Sequence, residues 1–103
     1  MTEETQVNKE VIERLIKASE MGDSDAMFKL ALKYSRGEGV EQSFEKAVEY
    51  YQKAAELGHV NAMFNLANKY CRGEGVEQSF EKAVEYYQKA AELGNVNAMF
   101  NLA

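Results

Sequence analysis

The side chains of this 103-residue sequence that could do chemistry are few, and most stand alone. His59 is the single histidine. An imidazole serves as general acid, general base or metal ligand only with a partner in reach. The residue one period later in this chain is Asn95, so His59 reads as a polar residue in an inter-helix turn. Cys71, the one cysteine, has Ser35 as its counterpart and no second thiol or histidine at ligand spacing, which makes it a small residue late in a helix. The segments Arg36-Gly37-Glu38-Gly39 and Arg72-Gly73-Glu74-Gly75 have the glycine content of phosphate-cradling loops. No Lys-Ser or Lys-Thr follows them and no strand precedes them, so they read as turns. Glu45, Glu49 and Glu56 fall on one polar helical arc, a solvated face rather than an acid/base pair. The Tyr50/Tyr51 and Tyr86/Tyr87 pairs, with Met27, Met63 and Met99, recur at helical spacing as core residues do. Phe28, Phe64 and Phe100 lie near the edge of the polar face, where packing between units is favoured over a place beside a ligand. Nothing in this inventory asks for a cofactor or a metal, and the expectation is a protein that is not an enzyme.

What remains is binding chemistry. Residues 25–36 carry Lys29, Lys33 and Arg36 against Asp25, a net charge of +2, and residues 61–72 carry Lys69 and Arg72, also +2. The stretch between them, 37–60, sums to −3, from five Glu and two Lys. A chain of net charge −5 thus concentrates cations in two short segments that also contain Asn65 and Asn68. Amide side chains can hold an extended peptide backbone, and Lys or Arg can hold its carboxylates. The candidate peptide-binding residues are Lys29, Lys33, Arg36, Asn65, Asn68, Lys69, Arg72 and Asn101, with an extended acidic peptide or a free C-terminus as the ligand.

The elements that must position these residues come from an internal repeat. Residues 36–58 and 72–94 are the same letter for letter, and 25–60 matches 61–96 at 31 of 36 positions. Residues 97–103 repeat 61–67 without change. The chain therefore divides into an N-terminal half-repeat (1–24), two whole repeats (25–60 and 61–96) and the start of a third (97–103). Each unit resolves into a helix A near 25–35 and a helix B near 44–57. Met27, Leu30, Ala31 and Tyr34 gather on one side of helix A, opposite Asp25, Lys29, Leu32 and Arg36. Ser43 is placed to cap helix B, and Gly58 to close it. The five differences between the whole units are Asp25/Asn61, Lys29/Asn65, Leu32/Asn68, Ser35/Cys71 and His59/Asn95. Four of them lie along helix A, and none lies in helix B.

The positions Ala26, Leu30, Tyr34, Gly37, Gly39, Val40, Lys46, Ala47, Tyr50, Tyr51, Ala54, Ala55 and Gly58 carry a family pattern, and it recurs 36 residues on. The array resembles Sel1-like repeats, relatives of the tetratricopeptide repeat with a longer inter-helix turn. The resemblance spans residues 10–103. Ala31 and Ala67 depart from the family's usual Gly, and Ser43 and Ser79 from its common Asp. The resemblance implies an all-α, right-handed α-solenoid serving as a non-catalytic adaptor or scaffold, with stacked A helices lining a concave surface for protein partners. The paired disulfides of some bacterial members are not expected, since Ala54, Ala55 and Met63 stand at those places. The runner-up reading is a structural spacer or an idealised, consensus-built repeat without a ligand of its own.

Composition bounds the rest. The chain is 46% hydrophobic and 28% charged, without proline or tryptophan, as long helices with stereotyped turns require. Its acidity argues against nucleic acid, which asks for a clustered basic surface. No run approaches the roughly 18 apolar residues of a membrane span. The acidic start Met1-Thr2-Glu3-Glu4 is unlike a secretory signal, and a lone cysteine forms no internal disulfide, so the cytoplasm is favoured. After Ala103 no polar cap follows, and fraying or self-association through that end is expected.

Overall fold

The computed structural model describes the backbone of residues 3–102 and the side chains of residues 6–99. Six helices follow one another: α1 (Glu3–Glu20), α2 (Ser24–Arg36), α3 (Phe44–Glu56), α4 (Val60–Arg72), α5 (Phe80–Glu92) and α6 (Val96–Leu102). There is no strand among the described residues. Each helix packs on its neighbours in sequence, giving an elongated stack of 47 × 24 × 20 Å. Such a quasi-one-dimensional array of helix–turn–helix units is a solenoid.

Local chemistry sets the helix ends. The Asp23 carboxylate accepts from the Ala26 N–H, so α2 opens at Ser24. Ser43 and Ser79 accept from Lys46 and Lys82 N–H and open α3 and α5. Helix α2 stops at Gly37, whose left-handed backbone (φ 70°) turns its N–H onto the Lys33 carbonyl. The Gln42 amide then donates to the Ser35 carbonyl, and Gln78 repeats this on Cys71, satisfying helix ends that would otherwise lack donors. Helix B ends at Glu56, one residue earlier than the sequence pattern suggests, with Leu57 as its cap.

One buried cluster runs from Met27 to Ala98 through both whole units and is dominated by alanine, with Leu66, Tyr51, Tyr70 and Tyr87 as its large members. Leu30 and Leu66 are wholly buried. The tyrosine pairs are structural: Tyr34 stacks on Tyr50 at 5.9 Å, and Tyr70 on Tyr86 at the same distance. At the ends of the array identical residues lose their cover. Val48 is 5% exposed but its copy Val84 is 44% exposed, and Phe80 is exposed where Phe44 is half-buried.

Burial pushes the Tyr51 phenol up to about 12 from 10, with Arg36 and a hydrogen bond from Asn65 pulling the other way. Burial also raises Tyr50 and Tyr86. A phenol whose folded-state pKa is raised stabilises the fold fully below its unfolded pKa and loses that contribution as pH climbs through the folded value. The stability should therefore fall between about pH 10 and 12, by on the order of 3 kcal/mol for Tyr51 alone. Urea midpoints measured across that window, with Tyr51→Phe as the comparison, check it. The variant should show a clearly shallower alkaline loss.

Candidate binding face

His59 is more than a turn residue. Its Nδ1 accepts from the Ala62 N–H, which makes it the N-cap of α4, and its Nε2 lies 2.8 Å from the Asp25 carboxylate one unit back. Its ring stacks on Phe28 at 4.7 Å. Both nitrogens are therefore occupied, Nδ1 in capping α4 and Nε2 in joining the units. Asn95 repeats the arrangement: its amide oxygen accepts from Ala98 N–H and its Nδ2 donates to Asn61. Asp23, His59 and Asn95 stand one period apart, and all three cap an A helix. That common role is visible in the sequence once the three are aligned. Phe28 also tilts against Tyr51 at 6.0 Å, and Phe64 against Tyr87 at 5.8 Å, so both pack within the array.

The candidate peptide contacts do not share one fate. Lys29 is exposed, with no partner among the described residues. Lys33 and Arg36 both reach Glu38, at 3.4 and 3.7 Å, and Arg72 reaches Glu74 at 3.7 Å. Lys69 departs most from the expectation of an open contact. It is 7% exposed, with its ammonium 3.1 Å from the Ser35 hydroxyl, 3.3 Å from Glu74 and 4.5 Å above the Phe44 ring. Asn68 is half-buried and accepts from the Tyr87 hydroxyl, which also points at the Cys71 sulfur. Asn65 is half-buried and hydrogen-bonded to Tyr51. Leu32, expected on the polar side of helix A, packs against the core. Asn101 lies outside the described side chains. The helix-A stripe is thus divided: in its second segment Asn65, Asn68 and Lys69 are engaged by neighbouring helices and Arg72 stays exposed, while in its first Lys29 and Arg36 are exposed.

The open part surrounds a recess of about 360 Å³ between α1 and α2, lined by Val11, Leu15, Lys29, Leu32, Lys33, Arg36 and Glu38. A second recess of about 300 Å³ continues it toward the start of α2, sharing Val11, Leu15 and Lys29 and adding Arg14, Ala18, Asp23 and Asp25. The floor is apolar and three cations face one carboxylate in the larger recess. Sequence reasoning named the cations but missed Val11 and Leu15, because α1 departs from the repeat pattern. It also missed Glu38 and Glu74, which gather the cations of the preceding helix end.

The sequence matches the Sel1 repeat family over residues 24–59 and 60–95. No curated protein sequence matches the chain. Among solved structures, the fold is similar to a Sel1 repeat protein from Oxalobacter formigenes, with a TM-score of 0.85 and 32% identity over 88% of this chain and 37% of that one. It is similar to a protective antigen of uropathogenic Escherichia coli strains displaying this repeat fold, with a TM-score of 0.80 and 37% identity over 82% of this chain and 18% of that one. A third similarity is to cysteine-rich protein B of Helicobacter pylori, with a TM-score of 0.85 and 31% identity over 88% of this chain and 68% of that one. The chain spans well under half the length of the first two.

Proposed function

As this chain belongs to the Sel1 repeat family, whose members are generally protein-interaction modules and non-catalytic scaffolds, we propose that it is an adaptor whose open helix-A face binds an acidic segment of a partner protein. The observation that carries this reading is the apolar recess at α2. There Lys29, Lys33 and Arg36 line one recess with a single carboxylate, Glu38, in a chain of net charge −5. Exposed cations beside an apolar floor attract a segment that offers both carboxylates and apolar side chains. Lys69, Asn65 and Asn68 support the face from behind rather than touch the ligand, and Arg72 extends the basic edge.

A fluorescent acidic peptide of alternating Glu and Pro, titrated with the chain, tests the charge requirement by anisotropy. Binding should weaken steadily with added salt, since exposed charges are screened over about 8–10 Å at physiological ionic strength. Lys29→Glu with Arg36→Glu should abolish it. Affinity that survives this pair and collapses with Glu49→Ala and Glu85→Ala would move the site to the B helices.

A further inference from the structure

We propose that the recess between α1 and α2 is a socket for an amphipathic helix of a partner protein, which docks where a preceding helix A would lie, parallel to α2. The inference rests on the binding reading above and adds the ligand's shape, direction and residue pattern.

The protein displays the filled socket one period further on. Leu15 stands 36 residues before Tyr51, and Lys33 stands 36 residues before Lys69. Around Tyr51 and Lys69 the place is occupied by α2 itself. Phe28 lies against Tyr51, Leu32 packs on the core beside it, and Ser35 gives its hydroxyl to Lys69. These three residues are spaced i, i+4 and i+7, one face of a helix. In the next unit Phe64, Asn68 and Cys71 make the same approach to Tyr87. At α1 no such helix is present among the described residues, and Leu15 and Ala18 are left half-buried where Tyr51 and Ala54 are buried. Residues 1–8 lack the Gly37 and Gly39 counterparts, and α1 is already helical at Glu3, through positions that the next unit gives to its turn.

The filled site also sets direction. Asp25 meets His59 at the helix starts and Ser35 meets Lys69 at the helix ends, so α2 and α4 run parallel. The socket has matching polarity: Asp23 and Asp25 lie at one end, Lys33 and Arg36 at the other. A docked helix parallel to α2 places its positive N-terminal dipole at the acids and its negative C-terminus at the cations. By the period, its residue at the Asp25 place faces Asp23, so a donor fits there. A carboxylate fits at the Ser35 place, where Lys33, Arg36 and Lys29 outnumber Glu38. The ligand pattern is therefore a donor, an aromatic three residues on, an aliphatic four later and an acid three later. Because α1 has Leu15 where α3 has Tyr51, the aromatic has room to enter.

The probe is a labelled 13-residue peptide with the sequence of α2, carrying Asp25→Lys and Ser35→Glu at the facing positions and Glu in place of its own Lys29 and Lys33, so that its net charge is −1. We expect saturable anisotropy, a gain of helical circular dichroism on binding, and at least about a tenfold loss of affinity with Lys33→Glu in the protein. A peptide with Lys at the Ser35 place should recover binding to that variant and lose it to the parent. This charge swap separates a lost contact from a damaged fold, which thermal melting of the variant also checks. Binding that ignores Lys33→Glu, or a failure of the swap, overturns the socket. Binding of the Glu-Pro peptide without the helical one overturns the helix and leaves the basic face standing. Failure of both overturns the face as well. A concentration-dependent dimer that the helical peptide disperses would assign the socket to a second copy of the chain and overturn the partner assignment.

Discussion

Gly75→Ala should destabilise the array by about 3 kcal/mol or more, while Gly39→Ala, the same change in an identical sequence, should cost about 1–2 kcal/mol. Both glycines have φ 78°, so both substitutions carry the strain of a left-handed L-residue. They differ in what the new methyl meets. At Gly39 it would lie 3.3 Å from the Asn8 Cβ and 3.4 Å from the Ile12 Cγ1, side-chain atoms that can yield by a few tenths of an ångström. At Gly75 it would lie 2.4 Å from the Phe44 carbonyl oxygen, 2.5 Å from its carbon and 2.9 Å from the Glu45 nitrogen. Those are backbone atoms of the first turn of α3, and they cannot move without shifting the helix. The turn of the second whole unit is thus seated directly on the backbone of the first. Urea denaturation of the two variants side by side is the measurement, and equal midpoints would show that the inter-unit seat is looser than the structure gives.

The contrast marks the limit of what the sequence discloses. The repeat makes the helices, their caps and the period legible, because capping and amphipathicity are local and are stated twice. Gly39 and Gly75 are indistinguishable by that logic, as are Lys33 and Lys69. Their differences arise from the neighbouring unit, and α1 is not a copy of α3. Asn8 replaces Phe44, so Lys33 lacks the ring that covers Lys69. Leu15 replaces Tyr51, and a recess opens where the later unit is filled. The five differences between units were legible as residues but not as roles. Asn68 answers the Tyr87 hydroxyl, and His59 and Asn95 each tie a helix cap to the first turn of the preceding A helix, which are interactions between units or across a helix pair. A charge stripe on a helical wheel says which side chains share a side. It does not say which of them a neighbour consumes.

Leu66→Ala should cost about 2–5 kcal/mol, and the upper part of that range is expected. Leu66 is wholly buried in α4, the helix that packs on both α3 and α5 and so joins the two whole units. Its cluster is built mainly from alanines, among them Ala31, Ala47, Ala54, Ala62, Ala67, Ala83 and Ala90. Alanine has no rotamer with which to fill a void, so the cavity left by the leucine stays open and its cost adds to the lost transfer energy. In an array whose total stability is on the order of 5–15 kcal/mol, that is a large fraction. Because each unit contacts only its neighbours, weakening α4 should also uncouple them and broaden the unfolding transition. Leu57 is the internal control. It is 57% exposed at a helix end, and Leu57→Ala should stay within about 0.5 kcal/mol of the parent. Circular dichroism against urea reads both the midpoint and the slope. A Leu66→Ala chain that unfolds like the Leu57→Ala chain, with the parent's midpoint and slope, would mean that the continuous core through α4 does not hold the array together.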